Sequence, residues 1–294
     1  MNKLIVLTIP LFLLAGCNKK TNNKSESSNE SSSSIVSSSS ELIKDKKSYG
    51  VFLSVDEYTP FAKERFKQYE EVVIDAQYFS IDEISDIKSH NTTVYSYMNV
   101  GAIENFRSYY DTYKQYAIGE YEHWDEELWM DVTRPEWQNF LVDELADQFF
   151  TKGVDGLFID NLDVYYEYPS EDIFTSITEI LKALKEYDFP IIINGGDTFV
   201  SEYLSRCHLL DDVMDAVNQE TVFSMIDWDH ETFSKNDDEE KEYFQEYLDE
   251  VSPFLNEVYL LEYTADDELI KEIKDYCDKH HFKYYISSSL ELTL

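Results

Sequence analysis

Residues 153–163 read GVDGLFIDNLD. The apolar run Leu157-Phe158-Ile159 ends abruptly in a carboxylate, Asp160, and a second, Asp163, follows three residues later. A short run that is apolar on both faces suits a parallel strand covered by helices on each side. A polar residue at its last position marks the carboxyl end of the strand, where barrel enzymes place their chemistry. Seven other runs share this design: 50–54 (GVFLS), 71–75 (EVVID), 93–99 (TVYSYMN), 190–194 (PIIIN), 215–220 (DAVNQE), 257–262 (EVYLLE) and 283–287 (KYYIS). With 154–160 they make eight.

Helical patterns lie between them. In 136–151, Trp137, Leu141, Leu145 and Phe149 recur every fourth residue and form one apolar stripe. Thr133 and Glu136 have capping-box spacing, and Pro135 suits a first helical turn. Ile173, Ile177, Ile180, Leu181 and Leu184 repeat the pattern, as do Leu269, Ile270, Ile273 and Cys277. Eight strands, each followed by its own helix, predict an α/β fold with a single (β/α)8 TIM-type barrel over residues 48–294. A doubly wound open sheet is the alternative, but no Gly-x-Gly-x-x-Gly follows any strand.

Reading the strand ends collects Asp75, Tyr97, Asn99, Asp160, Asp163, Asn194, Glu220 and Glu262 at one end of the barrel. Polar groups gathered on apolar strands are costly to bury unless bonded or used. Asp160 and Glu220 are the leading catalytic candidates, and Glu262 ranks below the others. The longest connection, 104–132, is rich in Tyr and Trp. Its aromatics suit stacking on sugar rings or packing beneath the loop, and about half are expected to do each.

The N-terminus has a different composition. Lys3 and the uncharged run 4–14 form the core of an export signal, too short to span a bilayer. Leu14-Ala15-Gly16-Cys17 resembles a bacterial lipobox, which implies a signal peptide over 1–16 and a lipidated Cys17. Residues 17–47 are Ser-rich and read as a disordered tether. Seven lysines and four acids lie in 1–47, so the remaining chain holds 17 basic and 56 acidic residues, a net charge of −39. Such a field excludes nucleic acid as a partner and attracts cations, though solubility and repulsion from an anionic wall explain it equally well. Cys207 and Cys277 are expected to be separate and buried. The membrane is met through the lipid anchor alone, on the extracellular face. The protein is expected to be a monomer without a cofactor.

Five stretches carry a family resemblance: 95–107 (YSYMNVGAIENFR), 129–137 (WMDVTRPEW), 153–163, 193–197 (INGGD) and 218–223 (NQETVF). In this order they resemble the endo-α-1,4-polygalactosaminidase family, glycoside hydrolase family 114. That family often has Gly-Glu-x-Glu where this chain has Gly101-Ala102-Ile103-Glu104, so the first acid is missing. The resemblance implies that Asp160 and Glu220 are the catalytic carboxylates, with Asp160 as nucleophile and Glu220 as acid/base, as a two-carboxylate glycosidase requires. Tyr97, Asp163 and Asn194 are expected to orient these acids or hold sugar hydroxyls, and Arg107 to pair with an acid. Asp75, Asn99, Glu104, Trp129, Asp131 and Asp197 complete the expected substrate contacts. The implied substrate is an α-1,4-linked galactosamine polymer, cationic where deacetylated, as in biofilm exopolysaccharide.

Three rival classes fit less well. A metal-dependent deacetylase needs metal-ligand spacing among the six histidines, and none shows it. A serine hydrolase needs Gly-x-Ser-x-Gly, which is absent. A two-lobed solute-binding lipoprotein does not match eight strand–helix pairs, whereas a non-catalytic barrel that grips exopolysaccharide does.

Overall fold

The computed structural model describes residues 46–294 apart from 123, 229 and 231. The expected signal peptide, the expected lipidation site Cys17 and the expected tether as far as residue 45 lie outside the described residues. Eight parallel strands form one sheet in chain order: β1 (Lys47–Phe52), β2 (Tyr69–Ile74), β3 (Thr93–Asn99), β4 (Gly156–Asp160), β5 (Ile191–Asn194), β6 (Ala216–Glu220), β7 (Glu257–Tyr263) and β8 (Lys283–Ser287). Neighbours pair in parallel from β1 through to β8. β1 and β8 lie side by side to bring the sheet round on itself. Their seam is filled by the rings of Phe52 and Tyr285, 5.5 Å apart. The result is a nearly closed (β/α)8 barrel.

Among the described residues, seven helices cover the strands: α1 (Pro60–Phe66), α2 (Ile81–Lys88), α3 (135–152), α4 (Glu171–Lys185), α5 (Asp197–Cys207), α6 (Asp238–Val251) and α7 (Asp267–His280). α4 shows why these segments are helical. Ser170 caps it by accepting from the Ile173 N–H, Glu171 and Asp172 stand in its first turn, and Lys182 and Lys185 stand in its last. That order of charges complements the helix dipole. Its buried stripe contains Ile173, Ile177, Ile180, Leu181 and Leu184. After β8 the chain forms turns rather than an eighth helix.

Besides the missing eighth helix, three further expectations change. α3 begins one residue later than the capping-box spacing implies. Its N-cap is Arg134, and Thr133 instead gives its hydroxyl to Asp131 at 2.5 Å. The middle of α3, Phe140–Ala146, is π-helical. Cys207 and Cys277 are both free, but only Cys277 is buried, because Cys207 ends α5 at the surface.

The long connection after β3 folds into a three-stranded antiparallel sheet of Ala102–Glu104, Glu127–Met130 and Ala117–Glu120. A second excursion after β6 forms the hairpin Ser224–Asp227 with Thr232–Lys235. No described helix is long and apolar enough to cross a membrane.

Candidate active site

Asp160, Asn194 and Glu220 are the last residues of β4, β5 and β6. The residue after each one is left-handed: Asn161 at φ 65°, Gly195 at φ 61° and Thr221 at φ 55°. Asn and Gly adopt this conformation readily, whereas a β-branched Thr does so only under constraint. Thr221 is held by its N–H to Leu261 O and by its carbonyl, which accepts from Asn236. Three neighbouring strands thus end in the same sharp turn, which leaves each terminal side chain facing the barrel mouth.

There the Asn194 amide bridges the two acids. Its Nδ2 donates to Asp160 Oδ1 at 2.8 Å and to Glu220 Oε1 at 2.7 Å. Two bonds from one nitrogen keep those oxygens within 5.5 Å of each other. The amide cannot be turned over, since Asn194 Oδ1 accepts from Asn218 Nδ2 at 2.6 Å, and Asn218 Oδ1 in turn accepts from the Tyr49 hydroxyl at 3.1 Å. Glu220 Oε2 accepts from the Tyr263 hydroxyl at 2.7 Å.

These groups open into a cavity of about 680 Å³. Nine acids and one cation, Arg107, line it among the described residues. Arg107 is buried and already engaged, donating to Asp75 and, at 2.7 Å, to Glu104 Oε1. Both oxygens of Asp163 accept from the Gly196 N–H. Glu127 Oε2 accepts from Asn99 at 3.2 Å and Asn161 at 3.4 Å. At the rim stand Trp124 and Trp228, brought together edge to face at 5.7 Å from the two excursions.

The pattern of glycoside-hydrolase family GH114 matches residues 40–289. The chain belongs to that family. It is a GH114 glycosidase, with a carboxylate pair on a barrel. Among solved structures it is similar to the glycoside hydrolase domain of PelA from Pseudomonas aeruginosa, with 18% identity and TM-score 0.69, over 84% of this chain and 96% of that one. It is also similar to Aspergillus fumigatus Ega3 in complex with galactosamine, with 14% identity and TM-score 0.63, over 85% and 92%. A third is the α-galactosidase TtGalA of Thermus thermophilus, with 11% identity and TM-score 0.55, over 85% and 60%. At these identities the likeness concerns the fold. No curated protein is similar to the chain by sequence.

The electrostatics of this GH114 site follow from burying acids together. Burial pushes Asp160 up, against donation from Asn194, Tyr97 and the Asn161 N–H. Burial, aided by the charge of Asp160, pushes Glu220 up to about 7. Burial and the charges of Asp197 and Asp160 take Asp163 to about 7. Burial takes Glu262 to about 7, while burial with Glu104 and Asp160 takes Glu127 to about 8. Each is raised above its ordinary value, so the folded state holds these protons more tightly than the unfolded state. Their contribution to stability is therefore full at acid pH and is lost as pH rises through about 7 to 8. Differential scanning calorimetry is expected to give a higher Tm near pH 5 than near pH 8.

The structure brings Asp75, Tyr97, Glu104, Arg107, Asp160, Asp163, Asn194 and Glu220 to the cavity. Four other expected contacts do not line it. Asn99 stands behind the wall, where its Oδ1 holds the Ala102 N–H. Trp129 is buried under Tyr121, with the rings 4.2 Å apart. Asp131 is engaged by Thr133 and Arg134, and Asp197 accepts from Tyr243. Glu262 is fully buried and holds the Phe223 and Ser224 N–H groups instead of facing the mouth. Tyr263, one residue on, is the group that reaches Glu220. Tyr263, Asn218, Asn161 and Glu127 are functional candidates that sequence reading did not single out. Asn218 was accessible to it, two residues before Glu220 and so on the same strand face.

Gly101 fixes how closely the β3 and β4 turns approach. A Cβ there would stand 1.8 Å from Asn161 O. Gly101→Ala must displace the residue next to Asp160. It is expected to lower stability by about 1–3 kcal/mol, read by thermal melting, with a loss of kcat.

Proposed function

We propose that this glycosidase cleaves an α-1,4-linked galactosamine or N-acetylgalactosamine-type exopolysaccharide by double displacement. It acts at the outer face of the bacterial membrane, tethered by lipid on Cys17. The bridging Asn194 amide carries the mechanistic part of this reading. A nearest-oxygen limit of 5.5 Å matches the close spacing of retaining enzymes rather than the wider spacing that admits a water in inverting ones. Asp160 has three donors and Glu220 two, so Asp160 ionises first and Glu220 keeps the shared proton. Ionised Asp160 attacks the anomeric carbon and forms a glycosyl ester, while Glu220 gives its proton to the departing glycosidic oxygen. Glu220, now a carboxylate, takes a proton from the water that attacks the same carbon, and Asp160 is released.

Three observations support an amino-sugar polymer. The cavity is strongly acidic, the domain carries −39, and Ega3 is found with galactosamine. Trp124 and Trp228 offer ring faces at the rim for stacking. The lipobox and Ser-rich segment support the location. The test incubates the full chain with α-1,4-galactosamine polymers of graded acetylation and follows products by mass spectrometry. Release of oligosaccharides supports the reading. Tight binding without cleavage overturns it in favour of a polysaccharide-binding barrel.

A further inference from the structure

An ammonium group bound in this cavity needs a carboxylate oxygen that is neither catalytic nor already neutralised. Asp160 and Glu220 are held by Asn194 for the reaction. Asp75 and Glu104 are both bonded to Arg107, the remaining Glu104 oxygen, Oε2, is buried out of reach of the cavity, and both Asp163 oxygens accept from the Gly196 N–H. The remaining lining acids except Glu127 are exposed at the rim, where water screens them.

Glu127 differs on each count. It lies inside the cavity, and among the described residues no cation pairs with it and only its Oε2 accepts hydrogen bonds. The groups that hold it are themselves fixed. Asn99 Oδ1 accepts from the Ala102 N–H at 2.8 Å, and Asn161 Oδ1 accepts from the Tyr121 hydroxyl at 3.0 Å. Both amides are therefore turned with their NH2 groups toward Glu127, which leaves Oε1 to the cavity. Asn161 directly follows Asp160, so this oxygen stands beside the reacting centre.

We propose that Glu127 receives the ammonium group of a 2-amino sugar in the cleft and so sets the preference for deacetylated over N-acetylated residues. The inference rests on the amino-sugar reading above and assigns its specificity to one side chain. A charge-assisted hydrogen bond in a fixed, partly dry site discriminates strongly between an ammonium and an acetamide.

The groups facing Glu127 also give it a proton handle. Glu104, Asp160, Tyr97 and Tyr121 line the same cavity and interact with it electrostatically, and the charge of Arg107 opposes that of the acids. Burial and the two acids raise it to about 8, so the empty site is mostly protonated at neutral pH. An ammonium favours the carboxylate and expels that proton. An acetamide carbonyl accepts from the protonated form instead. Preference for the amine therefore rises with pH up to about 8.

The test measures kcat/KM of the full chain on matched galactosamine and N-acetylgalactosamine oligomers for wild type, Glu127→Gln and Glu127→Asp. The ratio of the two constants is expected to fall about 10- to 100-fold in Glu127→Gln, through KM, and to recover in part in Glu127→Asp. Calorimetry in buffers of different ionisation heat should show proton release on binding galactosamine in wild type and none in Glu127→Gln. An unchanged ratio, or proton release that persists in the variant, overturns the inference and leaves the glycosidase reading standing. Failure of wild type to bind or cleave either oligomer overturns the amino-sugar reading and the inference with it. If Glu127→Gln does not fold, the ratio in Glu127→Asp decides by the same criterion.

Discussion

Asp160→Asn is expected to lower kcat by about 10,000-fold or more while Tm holds or rises. The exchange keeps the shape of the side chain, and Asn194 Nδ2 still finds an acceptor oxygen. What is lost is the negative charge that, in the proposed mechanism, attacks the anomeric carbon. Burial pushes the Asp160 carboxyl up, so its ionised form is a cost to the folded state that an amide removes. Loss of activity with retained stability is the signature of a site arranged for chemistry rather than for folding. Glu220→Gln should separate the two roles. It removes the proposed proton donor, so an oligosaccharide substrate should suffer as severely. A substrate whose leaving group is already a weak base needs no protonation, and its first step should survive in Glu220→Gln but not in Asp160→Asn. Steady-state kinetics with both substrate types reads the difference.

The second large effect concerns stability. Arg107→Met is expected to destabilise the fold by about 3–5 kcal/mol, because it leaves Asp75 and Glu104 buried without a counter-charge. For a domain of this size that lowers Tm by roughly 6–20 °C in a thermal melt. Arg107→Lys should recover little, since an ammonium lacks the planar fork that donates to both carboxylates at once. Adding Asp75→Asn and Glu104→Gln to Arg107→Met removes the stranded charges and should return most of the loss. A triple variant no more stable than Arg107→Met contradicts a cluster held by its charges.

The barrel was legible because its strands are apolar on both faces. Runs such as Pro190–Asn194 and Val154–Asp160 permit little else between helices, and their polar last residues mark one end. Asp160, Asn194 and Glu220 could be read in the same way. The sequence could not reveal which of two adjacent residues faces the mouth. Glu262 ends its predicted run, yet Tyr263 reaches Glu220, because strand alternation turns a one-residue shift into a change of face. Glu127 was hidden for a different reason. It lies in an acidic, aromatic connection whose strand pairing is non-local, and its role depends on Asn99 and Asn161, which are distant in sequence. The same connection divides its aromatics. Tyr109 and Tyr113 pack on Phe140 with centroids 4.5 and 4.6 Å away, whereas Trp124 stands at the rim.

The central claim is that Asp160 and Glu220, held together by Asn194, cleave the glycosidic bond in two displacements at one carbon. Proton NMR of the newly formed reducing end, recorded before the anomers equilibrate, tests it most directly. Cleavage of an α-linked galactosamine oligomer is predicted to release the α-anomer first. Initial release of the β-anomer would mean a single displacement by water, and would contradict both the nucleophilic role of Asp160 and the retaining chemistry inferred from the close carboxylate pair.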